Sequence, residues 1–360
     1  MKKHVLSLLK RTSYAIGLLQ LYLLLESKVG WKRSVIALCY HSIPEDTPTD
    51  AISILEGGTD RHSFECQIKI FSKWLQPIDD AKLLNWLNRK NDLKRDGLLV
   101  TFDDGYKNNQ TVAGPILKQH GVAGLIFIPT DFITTRKIFW WTRISNLLRN
   151  IEPIAWKKIA EHALPAAVLE VIADESLDSW TSRKRARRRL AFWINQQDNA
   201  ESALAIIESA FGTSQVEPTP KHMELLEWDD LREMQNDGFC FGSHTHTHPR
   251  LTKLNNQTLD KELLTGREEL FNRLQRWPLS LAYPAGDFDK RVAIHAQTIG
   301  FQMAFTTLTG IIHSQTDRMK LPRIYLNCSK PHEIYFSLAI INLAKYLPKS
   351  LEGRLAKLAR

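Results

Sequence analysis

Three histidines stand within five residues in "GSHTHTHPRL" (242–251): His244, His246 and His248. Two carboxylates stand side by side in "TFDDGY" (101–106): Asp103 and Asp104. Neutral imidazoles and carboxylates are ligands that zinc and similar divalent ions take in sites with open positions. Two histidines from one short segment leave at least one ligand to come from elsewhere. An aspartate on a neighbouring strand end would complete a facial set of two nitrogens and one oxygen. One aspartate would then bind the cation, and the other would take a proton from an attacking water. The cation would also relieve the repulsion between adjacent carboxylates. These residue types point to metal-assisted hydrolysis, with a divalent cation, Zn2+ first, as cofactor.

Such a site needs elements that bring distant segments together. Apolar runs rich in β-formers recur in "SVIALCYHSIP" (34–44), "DGLLVTFDDGY" (96–106), "GVAGLIFIPTDF" (121–132), "GFCFGSHTHTHP" (238–249), "PLSLAYPAGDF" (278–288) and "GFQMAFTTLTG" (300–310). "MKLPRIYLN" (319–327) offers a seventh. Helix-like segments alternate with them, among them 64–76, 108–121, 227–238 and 259–275. That alternation predicts an α/β chain with a parallel sheet. The reactive residues cluster at the C-terminal ends of the apolar runs: His41, Asp103 with Asp104, Thr130 with Asp131, His244 to His248, and Tyr283. In a (β/α) barrel those ends converge on one rim. Residues 135–225 lack strand-like runs and predict a helical insertion between the third and fourth strands.

"TFDDGY" followed by "SHTHTHP" resembles the polysaccharide deacetylase superfamily, the chitooligosaccharide-deacetylase-like metal hydrolases. The resemblance spans roughly 34–327. "ALCYHSIP", "FECQIKIF", "GPILKQHGVAGLIFIPTDF" and "LAYPAGDF" are similar to the branch containing bacterial exopolysaccharide deacetylases. It implies a distorted (β/α)7 TIM-like barrel. It implies that Asp103 is the general base and that Asp104, His244 and His248 hold the metal, with His246 an intervening residue. "LAYPAG" resembles the motif that shapes one side of the groove, so Tyr283, Pro284 and Gly286 are expected beside substrate, with His41 and Tyr106. Many members carry an arginine just before the proline of that motif. Ala282 fills the corresponding position in this chain, and Arg323 in "LPRIYL" is expected to supply the charge from another strand. The leucine–histidine motif that provides the general acid in many members has no copy. The implied reaction is removal of the N-acetyl group of an amino sugar, such as N-acetylglucosamine, in a glycan, polysaccharide or glycolipid. The alternatives are a metal amidohydrolase acting on a non-sugar substrate, and a catalytically weak glycan- or membrane-binding member.

The chain has 360 residues, 43% of them hydrophobic, and a formal net charge of +9. The excess charge permits an anionic partner, and an anionic membrane surface is one candidate. Arg183 to Arg189 holds six basic residues in seven. A solvated helix face explains that run better than nucleic acid does, so nucleic acid is disfavoured as a partner. The four cysteines form no CxxC pair, and Cys39 and Cys240 sit inside apolar runs as buried thiols. The N-terminus is basic and then apolar. Its cleanest apolar window, Ser13 to Leu25, is shorter than the roughly 20 residues a spanning helix needs. No small-residue cleavage site follows. Residues 1–30 therefore predict an uncleaved amphipathic helix, packed on the domain or lying on a membrane. Residues 34–330 are expected to form the catalytic domain and 331–360 a basic helical tail broken at Pro348. The expected location is the cytoplasm or the periphery of the bacterial inner membrane.

Overall fold

The computed structural model describes residues 2–29, 32–45, 58–159, 164–197, 199–211, 223–347 and 351. The chain forms two compact units. One comprises Met1–Asp46, Thr59–Thr135 and Leu225–Arg360; the other comprises Thr47–Gly58 and Arg136–Glu224.

The first unit is built on a curled sheet. Its strands are β1 (Ser34–Tyr40), β2 (Gln76–Pro77), β3 (Gly97–Phe102), β4 (Gly124–Ile128), β5 (Cys240–Ser243), β6 (Ser280–Ala282), β7 (Met303–Phe305) and β8 (Ile312–His313). They run in the order β7-β6-β5-β4-β3-β1-β8, with β2 beside β3. Every pairing is parallel except that of β8 with β1. The stretch around Leu321 and Ile324 joins the two ends of the parallel run. Leu321 bridges Phe305 of β7, and Ile324 bridges Leu38 of β1. The predicted seventh strand is thus two isolated bridges, which is why the barrel is distorted. Register aligns the strand ends: Tyr40 pairs with Phe102, Phe102 with Ile126, and Ile128 with Ser243. The residue after each strand therefore lands on a common rim.

Strands covered by helices on one side and by their neighbours across the barrel on the other can be apolar throughout. All seven residues of β1 and all six of β3 are buried. Val35, Leu99, Leu125, Phe127 and Phe305 share one core with Leu83, Trp86 and Leu87 of the helix Asp80–Leu87. Each large side chain so buried contributes about 1.5–3 kcal/mol. That helix, like β2 and β8, has no counterpart in the predicted pattern.

The N-terminus departs from the predicted single helix. It forms two, Lys2–Ala15 and Leu18–Val29, parted by a turn in which Gly17 takes φ 74°. The described part of the predicted basic tail is mainly the helix Pro331–Ala344, which contains no Lys or Arg; Lys345 follows it and is buried. It is a packing element: Tyr335 lies 5.3 Å from Tyr14 between ring centroids, and the Lys10 ammonium sits over Phe336. Residues 348–350 and 352–360, including the expected break at Pro348, lie outside the described residues.

In the second unit the described elements are helices: Trp140–Asn150, Pro153–Lys158, Ala166–Asp174, Trp180–Gln196 and Ala200–Phe211. Ile144, Trp156, Ile172, Leu190 and Leu204 centre its own core. The basic run lies in Trp180–Gln196, and much of it is engaged locally. Arg183 donates to the carbonyls of Leu148, Arg149 and Ile151 at the end of Trp140–Asn150. Arg185 grips Glu175, Arg187 reaches the Ser145 hydroxyl and Arg189 pairs with Asp174.

Candidate metal centre and catalytic rim

Adjacent side chains on a strand point to opposite faces. Asp103 and Asp104 can serve one site only where the strand has ended. β3 stops at Phe102, and the backbone then turns through two successive left-handed residues, Asp104 at φ 72° and Gly105 at φ 71°. Glycine takes that conformation freely, and aspartate more readily than most residues. The Gly105 carbonyl is fixed by the Leu226 N–H at 2.8 Å, beside a bridge between Tyr106 and Leu225.

The histidine loop is bent in the same way. Thr245 has φ 68° and His248 φ 59°. A β-branched residue at positive φ is strained, and surrounding contacts must hold it. Gly266 of the helix Asn256–Leu274 lets that helix touch the loop: a Cβ there would lie 2.8 Å from the Thr245 carbonyl carbon. Glu262 on the same helix accepts from the Thr247 N–H and hydroxyl. The His248 N–H donates to the Thr245 hydroxyl at 3.1 Å.

The two turns bring Asp104, His244 and His248 together, with one possible ligand atom of each within 4.8 Å of the others. Nε2 of His244 lies 3.5 Å from Asp104 Oδ1, and Nε2 of His248 lies 3.6 Å from the same oxygen. His244 Nδ1 faces the Ala282 carbonyl at 2.8 Å. A carbonyl can only accept, so Nδ1 carries the proton and Nε2 presents its lone pair. Burial is the main influence on both imidazoles. It pushes His244 down to about 4 and lowers His248 well below the usual histidine value. Two neutral imidazoles and a carboxylate therefore face one point. Ligand atoms about 2.0–2.1 Å from a tetrahedral zinc stand roughly 3.3 Å apart, close to the spacing seen. The donor set fits a divalent cation.

His246 lies apart from this set. Its Nδ1 is 2.9 Å from the Thr130 hydroxyl and 3.5 Å from Glu269.

Asp103 occupies a different environment. Arg323 is fully buried and meets it through two parallel contacts, Nη1 to Oδ1 at 2.7 Å and Nη2 to Oδ2 at 2.8 Å. The guanidinium also donates to the Thr306 carbonyl and the Thr101 hydroxyl, and it lies over the Phe127 ring. Burial pushes the Asp103 carboxyl up. The Arg323 guanidinium outweighs that and holds it well below the usual range. Cys39 Sγ lies 3.8 Å from Asp103 Oδ2, and burial pushes its thiol up to about 12, so it stays protonated.

His41 stands on the open side of Asp103. Its Nε2 is 3.9 Å from Oδ2, its side chain is 42% exposed, and its ring stacks on Tyr325. Asn108 and Asn109, just past the aspartate turn, brace the loop that carries it. Asn109 donates to the His41 carbonyl, and Asn108 engages the Ser42 hydroxyl and the Ile43 N–H.

The strap 283–286 corrects one expectation. The Tyr283 ring is buried, stacks on Phe288 and donates its hydroxyl to the Met319 carbonyl at 3.1 Å. Its side chain serves the core rather than a groove. Pro284 is buried, and Gly286 has φ 67° with no room for a Cβ beside Thr307. The Tyr106 ring is likewise buried.

Sequence reading alone missed Asn108, Asn109, Glu262 and Gly266, and it read Cys39 as a buried thiol without its place beside Asp103. A glycine inside a helical pattern is a signal of close approach, and Gly266 carried it. The others gave none without the fold.

Comparison with known proteins agrees with this geometry. The Polysaccharide deacetylase family model matches residues 184–304, which include the histidine loop but not Asp103 or Asp104. The polysaccharide deacetylase YxkH of Bacillus subtilis (strain 168) is 25% identical over 103 residues, 29% of this chain and 37% of that protein. This chain thus matches little more than a third of that relative's length. Streptococcus pyogenes deacetylase PplD, solved in complex with acetate, superposes with TM-score 0.56 at 15% identity, covering 88% of this chain and all of that one. IcaB from Ammonifex degensii gives TM-score 0.54 at 15% identity over 86% of this chain and 97% of its own. Residues 184–304 are thus similar to the polysaccharide deacetylase family, and the fold is the one shared by these solved deacetylases.

Proposed function

We propose that the protein is a metal-dependent deacetylase of the exopolysaccharide type, removing the N-acetyl group of an amino sugar in a glycan, polysaccharide or glycolipid. One observation carries the reading: Asp104, His244 and His248 converge beside an aspartate clamped by a buried arginine. Asp104, His244 and His248 would hold a divalent cation, Zn2+ first. Such a cation, when bound, polarises the acetyl carbonyl and makes water acidic.

The chain's own residues divide the remaining work. Asp103 is the general base. Held ionised by Arg323, it accepts protons weakly, which suits a water already made acidic. Arg323 fixes both carboxylate oxygens and so sets the direction from which a proton arrives. The Tyr106 N–H, in the turn that carries both aspartates, is the donor assigned to the developing oxyanion. His41, half-exposed and 3.9 Å from Asp103, is the residue assigned to protonate the departing amine.

The weak-member alternative was motivated by the missing motif arginine and the missing acid histidine; Arg323, in contact with Asp103, speaks against the first of these. The chain's place is read as cytoplasmic or peripheral to a bacterial inner membrane, serving the cell envelope. The test is acetate release from a panel of N-acetylated glycans and non-sugar amides, with and without chelator. The reading expects release from a glycan, abolished by chelator and restored by zinc. Release only from non-sugar amides, or release indifferent to chelator, would sink it.

A further inference from the structure

We propose that the N-terminal helical pair is a docking surface for an anionic lipid bilayer. The outer face of Lys2–Ala15 shows Leu8 and Leu9, the turn after it shows Ile16, and the outer face of Leu18–Val29 shows Leu18, Leu21 and Leu25. These six side chains are 53% to 69% exposed. A contiguous apolar face of this kind on a folded unit marks an interaction surface. The inner faces already have partners. Lys10 and Tyr14 meet Phe336 and Tyr335, while Leu19 and Leu23 are buried.

Charge selects the occupant. Residues 2–29 contain a single acid, Glu26. It is turned inward: its carboxylate lies 2.6 Å from the buried Lys345 ammonium and 2.6 Å from the Tyr346 hydroxyl. Lys345 also pairs with Asp96, which accepts from the Ser34 N–H at the start of β1. This network ties the second helix to the N-terminal ends of β1 and β3, the end of the barrel opposite the catalytic rim. With Glu26 withdrawn, the outer face keeps its leucines and the exposed cations Arg11 and Lys28. An apolar stripe flanked by cations suits an interface of acyl chains and anionic headgroups. A second copy of the chain would bring like charges together. No described helix is long and apolar enough to cross a membrane, so the pair lies in the interface plane.

The test is co-sedimentation of the full chain with vesicles of phosphatidylcholine, and with an equal mixture of phosphatidylcholine and phosphatidylglycerol. Strong partition onto the anionic vesicles, weakened by salt, is expected. Reversing two surface charges (Arg11→Glu with Lys28→Glu) should cut partition at least about tenfold. Leu9→Glu with Leu21→Glu should abolish it. Both positions in each pair are exposed and remote from the rim, so acetate release from a soluble glycan should be unchanged. That separates this proposal from the catalytic one. Wild-type protein that stays in the supernatant overturns it, as does partition indifferent to Leu9→Glu with Leu21→Glu. A dimer by light scattering that the leucine variant dissolves, without vesicle binding, would assign the face to a second copy instead.

Discussion

In "SHTHTHP" the backbone turns through positive φ at Thr245 and again at His248; in "RKRARRR" it is unbroken helix. Both runs crowd titratable side chains, and they use them in opposite ways. The bent loop aims His244 and His248 at one carboxylate, while Thr130 and Glu269 draw His246 aside. The regular helix sends its arginines to different sides, where carbonyls, Glu175, Ser145 and Asp174 receive many of them. A dense polar run becomes a site where the backbone is forced out of regular structure so that side chains converge. In a regular helix the same density disperses into local pairs.

The sharpest way to break this comparison is at the aspartate turn. On the proposed roles, Asp103→Asn removes the base and should lower the acetate-release rate on the order of 10²–10⁴-fold while metal content holds. On the same roles, Asp104→Asn removes an anionic ligand and should lower both metal content and rate. Metal analysis and kinetics on both variants decide the roles. Metal lost from Asp103→Asn and kept by Asp104→Asn would reverse them.

Arg323 tests whether the convergence is electrostatically held. Removing one partner of a buried pair leaves the other charged and unsolvated, at a cost of about 3–5 kcal/mol. Arg323→Met should lower stability by that amount in urea unfolding, and Asp103→Asn should do so from the other side. The double variant should recover most of the loss, because neither charge is then stranded. If the two single losses simply add, the pair contributes nothing as a unit, and the positioning role of Arg323 fails.

Much of this was legible in the sequence, for physical reasons. Apolar runs ending in polar residues announced the strands and their rim, because a fully buried parallel strand must be apolar until it exits. The residue types announced the donor set of Asp104, His244 and His248. Arg323 could be suspected because a charge was missing beside Ala282, though only the bridges at Leu321 and Ile324 explain how it enters the barrel. Tyr283 was misjudged because position in a motif does not reveal which way a ring points, and the Met319 carbonyl captures its hydroxyl. The N-terminal break was missed because Gly17 reads as a tolerated helical glycine until its φ of 74° is seen. The Asn108 and Asn109 braces depend on a loop more than sixty residues away, and no local pattern carries that.

The smallest expected effects come from the helical run, and they sharpen the comparison from its other side. Arg183 donates to three carbonyls left open at the end of Trp140–Asn150, where a helix carries partial negative charge. It is part-exposed, so Arg183→Ala should cost about 1–2 kcal/mol rather than the full value of a buried charged hydrogen bond. Lys184 and Arg188 are exposed. Lys184→Ala and Arg188→Ala should each stay within about 0.5 kcal/mol of wild type. All three should leave the acetate-release rate unchanged. A run that recognised nucleic acid would behave differently: the exposed pair would matter most, and binding to a DNA or RNA probe would fall steeply with salt. Thermal unfolding and a salt titration with such a probe separate the two. Salt-sensitive binding lost with Lys184→Ala and Arg188→Ala would show that a regular helix can make a site of this run after all.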